Sequence, residues 1–190
     1  MNRDGRRSGN GVLAMIGMTA AAGVWLLVLA GCHSKTDATN ENFMQSLNAY
    51  FMTHNDCLFE GAVRFPFETY DPDMARKMDA LVNAQLLKLQ EEKSIHANRY
   101  TTTLAGAQAA PKFCYGHREV TSIDSFTAPA KAHGFPETEV MYHFAMKDVP
   151  VWARTPQVMT AFPKMTAEIS GQTVAKATLA QTMVGWQVPE

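Results

Sequence analysis

Apolar residues recur at helical spacing in the first half of the chain beyond residue 40. One such run predicts a helix over 41–53. Asp71 and Pro72 are typical of a second helix start, because aspartate caps the first turn and proline is tolerated where no backbone donor is needed. The apolar face that follows predicts that this second helix continues to about residues 86–92.

After the second helix the pattern becomes that of strands and turns. Tyrosine and threonine are frequent at 98–104 and favour a strand there. The small residues at 105–111 indicate a turn. Apolar residues continue through 113–127, but their alternation changes parity between Val120 and Ile123, which indicates a β-bulge.

The last third of the chain contains the clearest strand. Strict alternation of apolar and other residues over 138–149 predicts one buried face, and we expect this strand to pair antiparallel with 117–128 across a connecting loop at 129–137. A helix should begin at Thr155-Pro156, with a kink or break at Pro163. A strand is predicted over 172–183.

These elements predict an α+β fold in a single domain over residues 41–190. A helical, wing-like half would occupy 41–110. An antiparallel sheet with one packed helix, in the order β-β-α-β, would occupy 111–190.

The first 31 residues have the charge pattern of an export signal. Arg3, Arg6 and Arg7 precede residues 11–31, which carry no charge. A basic start, an apolar middle and small residues before a cleavage site are the marks of a secretory signal peptide. We therefore predict that residues 1–31 are a signal peptide and that residues 32–40, which are polar, form a short tether.

The end of this leader, Leu29 to Cys32 (LAGC), resembles the lipobox of bacterial lipoproteins at all four positions. In that family the cysteine receives a diacylglycerol, the bond before it is cut, and the new amino terminus is usually acylated. Each buried CH₂ contributes about 0.8 kcal/mol, so several chains anchor a protein firmly. The resemblance implies that Cys32 is lipidated and that the chain lies in the cell envelope. In that family, an aspartate directly after the cysteine implies retention in the inner membrane. Because His33 occupies this position here, the resemblance favours the outer membrane if the cell has two membranes.

An uncleaved transmembrane helix is the alternative reading of the leader. The uncharged run of 21 residues is long enough to span a bilayer. However, small residues at 19–23 dilute its middle, so the strongly apolar part is confined to 24–29. Both readings place the remaining chain outside the cytoplasm, because the arginines favour a cytoplasmic amino terminus.

The charge balance argues against a nucleic-acid partner. The leader holds three of the 17 basic residues and one of the 18 acidic residues, so the remaining chain has a net charge of about −3. Such a chain lacks the excess of basic residues that binding to the phosphate groups of nucleic acid requires. We expect its partners to be the membrane, through the lipid, and an unidentified envelope protein or ligand.

Lipidation of Cys32 would leave Cys57 and Cys114 as an even pair in an oxidising compartment. We predict that these two cysteines form a disulfide, with free thiols as a further possibility. The bridge would close a loop of about 57 residues, for which the chain-entropy model gives roughly 4 kcal/mol of stabilisation.

Each of these two cysteines also has a histidine three residues away. Together the four side chains could form a tetrahedral zinc site. The alternative function is therefore a metal-dependent or enzymatic envelope module that uses His54, Cys57, Cys114 and His117. Known zinc patterns usually pair like residues at short spacing, and for this reason we favour the disulfide and predict no cofactor.

Residues 74–106 resemble part of a winged helix. The end of that family's recognition helix corresponds to Leu81–Leu87 (LVNAQLL), and its wing corresponds to Tyr100–Gly106 (YTTTLAG). Gln85 and Thr102 replace the family's glycine and leucine. The matching positions are scaffold residues, so the resemblance concerns the fold and implies no DNA binding.

A second resemblance is to uncharacterised bacterial lipoproteins. Their Phe-Cys-Tyr-Gly and Val-Pro-x-Trp-Ala motifs occur here at 113–116 and 149–153. This resemblance implies no particular activity.

The chain lacks a nucleophile elbow, a phosphate-binding loop, a dinucleotide fingerprint and a His-Glu-x-x-His motif. Trp152 and Trp186 could line a carbohydrate or peptide site, but packing in the core is the simpler interpretation. His143 should lie on the outward face of its strand. The sequence therefore favours a lipid-anchored envelope lipoprotein with a non-catalytic binding or assembly role.

Overall fold

A computed structural model describes residues 34–92, 97–171 and 173–189. The predicted signal peptide and Cys32 lie outside these residues. Within these described residues, no helix is both long and apolar enough to cross a bilayer. The helices are α1 (Asn40–Phe51), α2 (Pro72–Asn83), α3 (Leu104–Ala109), α4 (Pro156–Ala161) and α5 (Pro163–Ile169), with a 3-10 turn at Val151–Arg154. The strands are β1 (Asp56–Cys57), β2 (Phe67–Thr69), β3 (Leu87–Glu92), β4 (Ala97–Thr102), β5 (Cys114–Phe126), β6 (Ala130–Ala132), β7 (Phe135–Lys147), β8 (Thr173–Thr182) and β9 (Gly185–Gln187).

The strands form a large and a small antiparallel sheet, which confirms the predicted α+β class. The large sheet has the order β1-β5-β7-β8-β9, with β6 paired to β7, and the small sheet has the order β2-β4-β3. The predicted pairing of 117–128 with 138–149 is present as β5 with β7. Its register shifts between Val120 and Ser122, where the parity change indicated a bulge.

The alternating strand β7 buries one face, as predicted. Val140, Tyr142 and Phe144 are at most 2% exposed. They pack with Phe43 and Leu47 of α1 in one of the hydrophobic cores. The helix that covers this face of the sheet is therefore α1, which precedes the sheet in the chain.

The predicted helix at 155–171 has a different environment. It breaks at Phe162, between α4 and α5, as the proline at 163 requires. Its buried residues, which include Val158 and Met165, pack with α2 and the small sheet around Tyr100 in a second core.

The prediction that α2 continues to residues 86–92 is wrong. The helix ends at Asn83, and Gln85 adopts a left-handed backbone with φ 62°. Leu87 to Glu92 then pair with β4 in a hairpin, so the chain forms a helix followed by a hairpin here. Leu86 and Leu87 stay buried in this arrangement. Strand pairing with β4 thus provides the backbone hydrogen-bond partners of this segment, although Leu89 of the expected apolar face is 38% exposed.

Two segments predicted as turn or loop contain short regular elements. The small residues at 105–111 include α3, whose first turn is capped because the Gly106 amide donates to Thr103 Oγ1 at 3.0 Å. A Cβ on Gly106 would lie 1.8 Å from the Leu86 carbonyl oxygen, so only glycine allows this close approach. The connection at 129–137 contains β6 and the start of β7.

Candidate functional site

The predicted disulfide between Cys57 and Cys114 is present, with an S–S distance of 2.03 Å. The two cysteines are paired residues of β1 and β5, so the bridge fastens the short edge strand to the start of the longest strand pair. Neither sulfur in the bridge is a thiolate, which is the form that binds zinc.

The two histidines of the alternative metal set lie in separate environments. The His54 ring stacks on Tyr50 at a centroid distance of 3.8 Å, and its Nδ1 is 2.8 Å from the Tyr50 carbonyl oxygen. The His117 Nδ1 lies 3.4 Å from a carboxylate oxygen of Asp148. Among the residues described, no group of three or more His, Cys, Asp or Glu side chains could hold a metal ion.

A bulge at the start of β5 shapes the surface beside the disulfide. Cys57 pairs with Cys114 while Asp56 pairs with Gly116, so β5 contains one extra residue here. Gly116 has φ 128°, and a Cβ at this position would lie 2.2 Å from the Lys147 carbonyl oxygen. Glycine is therefore required both by the backbone angle and by the close approach of β7.

The bulge determines which side chains of β5 lie on the same face of the strand. Residues three apart point to opposite faces of a regular strand. Across this bulge, however, Cys114 and His117 line the same groove. On the other side, Tyr115 and Arg118 both contact Glu168 of α5.

The groove beside the bridge, which we call the disulfide groove, has a volume of about 690 Å³. It is lined by the end of α1, by α3, by the start of β5 and by the segment after β7. Met52 on its wall is 73% exposed, and Leu104 and Val151, each next to a lining residue, are both 86% exposed. The lining includes Asn55, Ala105, Cys114, His117, Asp148 and Trp152.

Residues with positive φ concentrate around the disulfide groove. Gly116 and Asp148 line it, and Gln85 and Phe113 each directly precede a lining residue. For residues other than glycine this backbone conformation is costly, and such residues gather at functional sites. This concentration favours the disulfide groove as the functional surface.

A partly buried set of charges, which we call the Arg118 network, joins β1, β5 and α5. The Arg118 guanidinium donates to both carboxylate oxygens of Asp56, at 2.8 and 3.0 Å. It also donates to Glu168 at 3.4 Å and lies 4.6 Å from the ring centroid of Phe144. Because a planar fork meets a carboxylate here, this is the strong bidentate form of ion pair.

The pKa values of two members of the Arg118 network, Arg118 and Tyr115, are both raised. Burial lowers the pKa of Arg118, but the Asp56 carboxylate raises it, and the net shift is upward. Burial raises the pKa of Tyr115, as does its hydrogen bond to Glu168. No buried side-chain nitrogen or oxygen of the described residues lacks a hydrogen-bond partner. The network therefore has the full set of partners that a structural ion-pair network requires.

The Arg118 network and the disulfide groove were not predicted from the sequence. Asp56 and Glu168 lie 62 and 50 residues from Arg118, so no local spacing connects them. Gly116, next to Cys114-Tyr115, is a local signal of the bulge at the start of β5.

The remaining predicted side chains have ordinary roles. Trp186 is buried, and its indole donates to the Asp37 carbonyl at 3.1 Å. Trp152 is half-buried and lines the disulfide groove. His143 is partly exposed and lies 3.0 Å from Asp124. Cys32, the predicted lipidation site, is outside the described residues.

No protein-family model, curated protein or solved structure matches this chain.

Proposed function

We propose that this chain is an envelope lipoprotein, anchored by lipid at Cys32, whose domain has a non-catalytic binding or assembly role. The observation that carries the proposal is the disulfide between Cys57 and Cys114. Disulfides persist in oxidising compartments outside the cytosol, to which the leader would direct the chain. Since the chain has three cysteines, Cys32 is the one left for acylation.

We assign the binding role to the disulfide groove, where residues with positive φ concentrate. Its volume lies in the range of ligand sites, roughly 300–1,000 Å³, and its exposed apolar rim is suited to contact with a partner. Among the described residues that line it there is no serine, threonine, lysine or free thiol to act as a nucleophile. The pair His117 and Asp148 supplies polar contacts that would orient what binds.

Metabolic labelling with a palmitate analogue tests the anchor. The wild-type chain should be labelled, and so should Gly31→Ala, because alanine also fits that lipobox position. Cys32→Ala should carry no label and should keep its leader. A labelled Cys32→Ala protein would contradict the proposal, and an unlabelled wild-type protein held in the membrane at full length would establish the transmembrane alternative.

Site-specific photo-crosslinking in the native envelope tests the groove. A crosslinking amino acid at Met52 or Val151 should give the same discrete adduct. Tyr70 is the matched control, because it is 69% exposed and outside the groove lining. Equal adducts from all three positions, or none from Met52 and Val151, would refute a binding role for this groove.

A further inference from the structure

The polypeptide enters the domain at one end of the large sheet. The Gln181 side chain donates to the Thr36 carbonyl at 2.7 Å, and the Trp186 indole donates to the Asp37 carbonyl. The Asn42 side chain donates to the carbonyls of Ser34 and Asp37. Residues 34–37, part of the predicted tether, are thus held against the domain.

The hairpin at this end of the sheet has an apolar tip. Thr182 pairs with Gly185, so Met183 and Val184 form the two-residue turn between β8 and β9. Met183 is fully exposed and Val184 is 70% exposed. Tight turns usually contain Gly, Asn, Asp or Pro, so two consecutive apolar residues at the tip are unusual.

This tip lies beside the entry of the chain. A Cβ on Gly185 would be 3.2 Å from the Lys35 carbonyl oxygen. Lys35, Val184 and Phe135, the latter 52% exposed, line one open cavity of about 570 Å³. Met183 is next to Val184 in the turn, and we call the four exposed residues Lys35, Phe135, Met183 and Val184 the hairpin edge.

The covalent chain limits how far this edge can lie from the anchor. Lys35 is the third residue after Cys32, and an extended chain spans at most about 3.6 Å per residue, so three steps span roughly 11 Å. If Cys32 carries acyl chains within a bilayer, Lys35 lies at the lipid headgroups. The apolar tip beside it is then close enough to enter the interface, and the lysine can approach lipid phosphates.

We propose that the hairpin edge contacts the lipid bilayer, so that the domain is held against the membrane in one orientation. This inference rests on the proposed lipidation of Cys32. The covalent attachment at Cys32 would keep the domain at the membrane. Burial of Met183, Val184 and Phe135 in the interface would in addition fix the orientation of the domain relative to the bilayer.

Depth-dependent fluorescence quenching tests this contact in the full lipidated protein. Met183→Cys, labelled with a small fluorophore and reconstituted in phosphatidylcholine–phosphatidylglycerol vesicles, is compared with Leu104→Cys. Leu104 is an exposed apolar control outside the hairpin edge. Shallow nitroxide lipids should quench the label at 183 at least about twofold more than the label at 104, because only the former would enter the interface.

Mass spectrometry of the same samples separates the two proposals. If Cys32 is acylated and both labels are quenched equally, the membrane contact is refuted while the anchor stands. If Cys32 carries no acyl chain, the anchor is refuted and the inference that rests on it falls too.

Discussion

Removal of the positive charge at Arg118 tests whether the Arg118 network holds β1, β5 and α5 together. Arg118→Met keeps an apolar stem of similar length but leaves the carboxylates of Asp56 and Glu168 without their cation. The two side chains are 19% and 7% exposed, so water can solvate them only in part. The uncompensated charges should therefore destabilise the folded state.

The expected loss is about 3 kcal/mol. Removal of one partner of a buried ion pair costs roughly 3–5 kcal/mol. The lower end applies because Asp56 and Arg118 keep some contact with solvent. For a small domain the urea slope is about 2 kcal/mol per molar. The midpoint of urea unfolding, followed by tryptophan fluorescence, should fall by roughly 1.5 M.

Arg76→Met is the matched control. Arg76 forms an ion pair with Asp73, but both side chains are at least 70% exposed. Such surface pairs contribute at most about 1 kcal/mol. If Arg118→Met lowers the urea midpoint no more than Arg76→Met does, the structural role of the network is refuted.

A double-mutant cycle checks the electrostatic reason for the loss. Glu168→Gln removes a buried charge and retains an oxygen that accepts from Tyr115. In the Arg118→Met background it should restore at least about 1 kcal/mol, because the uncompensated charge is gone. Equal effects of Glu168→Gln in both backgrounds would show that the two groups do not interact.

Two further outcomes follow from single contacts. Gly116→Ala should lower the free energy of unfolding by about 2–4 kcal/mol, because φ is positive there and the new Cβ would meet the Lys147 carbonyl. Gly61 has open space around it, so Gly61→Ala should change the free energy of unfolding by less than about 0.5 kcal/mol. Equal effects of the two substitutions would contradict the structural requirement for glycine at position 116. Burial and the Asp79 hydrogen bond raise the pKa of Tyr100 to about 12. Unfolded tyrosine ionises near pH 10, so the contribution of protonated Tyr100 to the free energy of unfolding is complete below pH 10 and is lost as the pH rises to 12. In a series of urea titrations, the stability of Tyr100→Phe should therefore fall by about 1–2 kcal/mol less than that of the wild type over this pH range.

The disulfide groove, proposed to bind a partner, and the hairpin edge, proposed to contact the membrane, lie at opposite ends of the large sheet. The groove lies at the start of β5 and the end of β7, whereas the edge lies at the start of β7 and the end of β8. An anchor at the hairpin edge would therefore leave the groove accessible to a partner. This arrangement connects the proposed lipid attachment with the proposed binding surface.

Local patterns in the sequence determined much of the fold. Asp71 caps α2 through its side-chain oxygen, as its position before an apolar run indicates, and Thr39 caps α1 in the same way. The alternation in β7 identified its buried face correctly. These signals are short-range, because caps and periodicity act within a few residues of one another. The prediction of a leader and the resemblance of Leu29–Cys32 to a lipobox likewise rest on adjacent residues alone.

The tertiary structure decided what depends on residues distant in the chain. α2 ends at Asn83 because Leu87 to Glu92 find strand partners in β4, which helical spacing could not predict. The bulge at Gly116 reverses the parity of β5 and so brings Tyr115 and Arg118 to Glu168. The sequence alone thus determined the cysteine pair and most element types. Tertiary packing decided the disulfide groove, the Arg118 network and the packing of residues 34–37 against the domain, because these arise from long-range contacts that no local spacing encodes.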